Sequence, residues 1–101
     1  MTTKEILECK KALFIPVKGE IKEIEPENGT DFLFGEVCDL LNIDYVERVH
    51  IPNDYNKIML VDEDGMLNLT INDRASAFCS DCYQSSCTIF GDVLVVFNNQ
   101  F

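Results

Sequence analysis

The chain has 101 residues, 47% of them apolar, and eighteen acids stand against eight lysines and arginines, a formal net charge of −10. That length makes one domain with a single modest core, and the mean hydropathy of zero is that of a folded protein, so the acidity does not signal disorder. Such a charge repels nucleic-acid and membrane phosphates, which excludes direct binding to DNA or RNA, and no apolar run nears the roughly 18 residues of a membrane span.

The excess is not spread along the chain. Between Gly19 and Asp64 lie Glu20, Glu23, Glu25, Glu27, Asp31, Glu36, Asp39, Asp44, Glu47, Asp54, Asp62, Glu63 and Asp64, opposed only by Lys22, Arg48 and Lys57. Outside that stretch acids and bases cancel. A field this lopsided attracts basic surfaces on other proteins. Its bland counterpart is a solvated face that keeps the protein in solution. Its sharpest form is mimicry of a phosphate backbone, which needs regular spacing of the carboxylates in space.

Residues 1–9 read as a short, frayed leader, and Met1-Thr2-Thr3-Lys4-Glu5 lacks the plan of a signal peptide, so the cytoplasm is the expected location. Ala12-Leu13-Phe14-Ile15 predicts a strand buried on both faces, ended by Pro16. Lys18-Gly19-Glu20 predicts a turn, and Ile21 to Ile24 a short second strand whose acids discourage stray edge pairing. After the loop Pro26-Glu27-Asn28-Gly29, with Thr30 or Asn28 placed as the cap, apolar residues at Leu33, Phe34, Val37, Cys38 and Leu41 predict a helix over 31–41.

From Tyr45 the period falls to two, which predicts a strand to His50, and Lys57-Ile58-Met59-Leu60-Val61 predicts a buried one. Asp62-Glu63-Asp64-Gly65 is a turn into Met66-Leu67-Asn68-Leu69; as a calcium loop it fails, because Met66 and Leu67 occupy the places of a third acid and the glycine. A minor helix is expected near 73–82. Thr88-Ile89-Phe90 and Val93 to Phe97 close the chain as its most hydrophobic strand, with a bulge or bend at Gly91-Asp92. The sum is a single α+β domain over 1–101, β-β-α-β-β-β, in which one small, mostly antiparallel sheet is packed by one main helix.

Cys79, Cys82 and Cys87 form a C-x2-C-x4-C pattern, the most chemical-looking element of the chain. Two thiolates so spaced can share a tetrahedral zinc, with Cys87 as third ligand and Cys9, Cys38 or His50 as fourth. A zinc-stabilised structural or regulatory module is therefore the alternative reading, although the spacing lacks a second pair. Five cysteines without a secretion signal fit reduced thiols better, and no cofactor is the leading expectation. There is no G-x-S-x-G, no P-loop and no G-x-G-x-x-G, and His50 has no local partner for a dyad. Enzymatic activity is not expected; a small-ligand site would have to be built around His50, Arg74 or Tyr55.

The stretch Lys57-Ile58-Met59-Leu60-Val61-Asp62-Glu63-Asp64-Gly65-Met66-Leu67-Asn68-Leu69-Thr70-Ile71-Asn72-Asp73-Arg74 resembles the most recognisable part of the family called domain of unknown function 3846, found in phages, plasmids and related elements. Phe14-Ile15-Pro16-Val17 with Gly19, and Gly91-Asp92-Val93-Leu94-Val95-Val96 at the end, are similar too. The chain departs from that pattern where Asp73 separates Asn72 from Arg74, and in the segment from Cys79 to Cys87. The resemblance implies no catalytic residues but a mobile-element setting. The expectation is then a small acidic accessory protein of a virus, phage or plasmid, working in the host cell interior. It would bind a basic surface on a host or defence protein, as an inhibitor or nucleic-acid mimic. The candidate partner-binding residues are Glu20, Glu23, Glu25, Glu27, Asp62, Glu63 and Asp64, with Arg74 as an anchor.

Overall fold

A computed structural model describes the backbone of residues 1–101 and every side chain but that of Asn68. In chain order the elements are α1 (Thr3–Glu8), β1 (Ala12–Ile15), β2 (Lys22–Ile24), α2 (Phe34–Leu41), β3 (Val46–His50), β4 (Lys57–Asp62), α3 (Gly65–Asn68), α4 (Asp73–Tyr83) and β5 (Val93–Phe97). A 3-10 turn, Asn98–Gln100, follows. The strands form one five-stranded sheet in the order β2-β1-β5-β4-β3, antiparallel at every pairing. The α+β class and the single antiparallel sheet are as the sequence predicts.

The cover of the sheet is not. One main helix was expected, yet helices lie on both faces. Leu13, Ile15, Met59, Val61, Val93 and Val95 point to one side, where Ile6 of α1 and Ala75, Phe78 and Cys79 of α4 pack on them. Ala12, Ile58, Leu60, Leu94 and Val96 point to the other, under Phe32 and under Val37 and Leu41 of α2. The reason is the side-chain alternation of a strand: β5 is buried at four successive positions, and a strand apolar on both faces has to be covered on both. The helix expected to be minor, α4, is the longest element of the chain at 11 residues.

The expected leader is also structured. Thr2 and Glu5 bond each other's backbone N–H groups in a capping box that starts α1, and Ile6 is buried in the core. Lys57 then holds the far end of α1: its ammonium, 2% exposed as a residue, donates to the carbonyls of Ile6 at 2.9 Å and Cys9 at 2.5 Å. At the start of α2 the expected caps serve the loop instead. Asn28 Oδ1 accepts the N–H groups of Thr30 and Asp31, and the helix begins three residues later at Phe34. Met66 to Asn68 belong to the short α3, and Ile71 and Phe90 make an isolated antiparallel bridge rather than a full strand.

Residues 87–91 are held along α4 by side chains four apart. Asn72 donates its amide to the carbonyls of Ile15 and Gly91, both at 2.9 Å, and its backbone N–H to Ile89. Ser76 Oγ accepts from the N–H of Ile89 at 2.8 Å, and Ser80 Oγ from that of Cys87 at 2.9 Å. This lacing carries the chain back to the centre of the sheet, where β5 begins. No helix among the described residues is long and apolar enough to cross a membrane.

Candidate functional site

The acids between Gly19 and Asp64 fall into groups set by the topology. Glu20, Glu23, Glu25 and Glu27 lie on β2 and its flanks, at one edge of the sheet. Asp62, Glu63 and Asp64 lie at the end of β4, with β1 and β5 between them and β2. The predicted set is therefore two groups rather than one face. Of the acids in the stretch, Asp64 aside, Glu25 alone is ion-paired among the described residues, with Lys11. That ammonium holds the Glu25 carboxyl below the usual carboxylate range, and Glu25 holds Lys11 above the usual lysine range. Glu23 accepts only a long 3.9 Å contact from the thiol of Cys9.

Two hollows have acidic walls. Beside α2, about 360 Å³ is lined by Ile24, Glu25, Glu27, Glu36, Asp39 and Leu40. Glu36 is committed there: its carboxylate takes the N–H of Glu27 at 2.9 Å and that of Leu33 at 3.3 Å, tying the loop to the start of α2. Asp39 and Asp44, with Asp62, surround Cys38, whose thiol is held above its ordinary pKa by burial first and by these carboxylates second. Against β3 and β4, about 180 Å³ is bounded by Glu47, Val49, Val61, Asp62, Glu63, Met66 and the Thr88–Phe90 segment. Here Asp62 Oδ1 accepts the N–H of Asp64 at 2.9 Å, which fixes the turn.

Met66 and Leu67, beside that second hollow, are 75% and 79% exposed, the most exposed large apolar residues of the chain. Glu47, Val49, Met66 and Ile89 are not among the candidate partner-binding residues that the sequence suggests. The only early signal for them was two apolar residues directly after an acidic turn.

Arg74, expected as an anchor for a partner, turns its guanidinium onto the carbonyl of Pro16 and so ties α4 to the end of β1. His50 is exposed at the end of β3, and its carbonyl accepts from the hydroxyl of Tyr83. Tyr55 lines an open hollow of about 340 Å³ with Asn56, Phe97, Asn98 and Asn99, which neither His50 nor Arg74 reaches.

Cys79 and Cys82 ride on the last two turns of α4, and the Ser80 hydroxyl brings the backbone of Cys87 back to them. All five thiols are free. Burial, then the neighbouring Cys87 and Cys82, pushes the Cys79 thiol up to about 12, and burial also raises Cys82. Groups so strongly biased towards the protonated thiol are poor nucleophiles. Among the described residues no three His, Cys, Asp or Glu side chains are grouped to hold a metal ion.

No protein-family description matches this sequence, and no curated protein and no solved structure proves similar to it.

Proposed function

We infer that the protein is a non-catalytic binding protein that docks on a basic surface of another protein through its uncompensated carboxylates. The observation that carries the reading is the scarcity of internal pairing: thirteen acids crowd one stretch, and of these, Asp64 aside, Glu25 alone is ion-paired among the described residues, with Lys11. Carboxylates left in water at this density raise the local concentration of a cationic partner and speed its encounter. Glu20, Glu23 and Glu27 are exposed at the β2 edge, and Glu47 and Glu63 at the opposite one, so the field acts from two sides of the sheet. A partner would meet one of them at a time. The setting, an accessory protein of a virus, phage or plasmid acting on a host or defence protein in the cell interior, rests on the resemblance of residues 57–74 and their flanks alone.

The test is capture from a lysate of the organism that carries the sequence, using the tagged protein beside two charge-reversed forms. These are Glu20→Lys/Glu23→Lys/Glu27→Lys and Glu47→Lys/Glu63→Lys. A basic protein retained at low salt, released as the ionic strength rises, and lost with one of the two reversals is the expected result. Retention by both variants at physiological salt would remove the reading.

A further inference from the structure

We propose that the hollow between β3, β4 and the Thr88–Phe90 segment is a pocket for one arginine side chain carried by an exposed basic segment of the partner protein. This deepens the reading above and rests on it. The size decides first: about 180 Å³ is below the roughly 300–1,000 Å³ of a small-molecule site, but it admits a single long side chain. The lining decides next. Val49, Val61 and Ile89 give the floor an apolar surface against which three methylenes can lie. Glu47 and Glu63 border the same hollow, where the guanidinium would end.

No lysine or arginine among the described residues pairs with those two carboxylates. The neighbouring Arg48 reaches instead towards Asn98, at 3.5 Å. A planar, weakly hydrated fork of N–H donors matches separated carboxylates better than a compact ammonium does, which selects arginine over lysine. Beside the opening, Met66 at 75% exposure offers apolar surface to whatever flanks that arginine. An aliphatic anchor in the same place would strip water from the acids and give them nothing back.

The probe is a fluorescein-labelled nonapeptide of arginine and serine, with lysine and citrulline counterparts, titrated by anisotropy at low salt. Citrulline keeps the shape of arginine and removes its charge. The variants are Glu47→Gln/Glu63→Gln at the pocket and Glu20→Gln/Glu23→Gln at the far edge of the sheet, which lose the same charge. The pocket pair should weaken the arginine peptide about tenfold and the distant pair about twofold or less, with lysine weaker and citrulline unbound. On the wild-type protein the peptide should shift the NMR signals of Val49, Val61 and Ile89 first. Equal losses in the two pairs, or shifts centred elsewhere, would overturn the pocket and leave the wider electrostatic reading standing. A wild-type protein that binds neither cationic peptide would bring down both. Should the pocket variant fail to fold, the wild-type shift map alone decides.

Discussion

Lys57 is the least expected residue of the core. Its ammonium meets two carbonyls and the ring of Phe97, 4.8 Å from the ring centre, and no carboxylate. Burial pushes its pKa below the ordinary lysine value. Between that lowered value and the ordinary one the unfolded chain holds a proton that the folded protein has released, so stability rises with pH through that window. The neutral amine keeps two hydrogens, enough for Ile6 and Cys9. Lys57→Met leaves both carbonyls at the end of α1 without a donor, and should cost about 2 kcal/mol at neutral pH. The difference between the two proteins, followed by urea denaturation from pH 8 to 10.5, should widen as pH rises. A variant as stable as the parent would show that the buried cation is only a burden. Cys79 makes the opposite demand. With its thiol pushed up to about 12, it should react with a disulfide reagent only as fast as the protein unfolds globally. Labelling of Cys79 at the rate of an exposed thiol would contradict the burial seen here.

At the scale of elements, the strands could be read and the helices only in part. Val93 to Phe97 and Lys57 to Val61 announce themselves as apolar runs, and the alternation at Tyr45 to His50 identifies a strand with one wet face. The run at β5 also implies cover on both faces, which a single main helix cannot supply. α4 is poorly legible in the sequence because its apolar face is narrow (Ala75, Phe78, Cys79) and interrupted by serines and acids. Those serines are the point. Asn72, Ser76 and Ser80 form a row one helical turn apart that substitutes for a neighbouring strand, satisfying the backbone of residues 87–91. No local pattern reveals such a row, because its partners lie 7 to 19 residues further on. Asn72 is wholly buried and also caps α4 by accepting the N–H of Ala75 at 3.0 Å. Asn72→Ala should therefore cost about 3 kcal/mol, the cap plus two orphaned carbonyls, and Ser76→Ala about 1 kcal/mol. Urea midpoints of the two variants test the ranking. A loss at Ser76 as large as that at Asn72 would mean that the row, rather than the cap, governs the helix.

For the molecule as a whole, the arrangement that offers a field to a partner also strains the fold. With a net charge of −10 and, Asp64 aside, Lys11–Glu25 as the one ion pair among the described residues, the folded chain repels itself more than the expanded one does. Salt shortens the reach of that repulsion from about 30 Å at 0.01 M to about 8 Å at physiological strength. Raising sodium chloride from 0.01 to 0.15 M should thus stabilise the protein, by about 1 kcal/mol in ΔG of unfolding, and the same change should weaken its hold on a cationic partner. Opposite signs from one titration are the signature of a single unpaired field. A fold held by its own surface ion pairs would lose stability with salt, and a partner held by apolar contact would not be released. Measuring the denaturation midpoint and the affinity for the arginine peptide along one salt series separates these cases. If both quantities move in the same direction, the carboxylates are either paired in solution or irrelevant to binding, and the electrostatic account of this protein cannot stand.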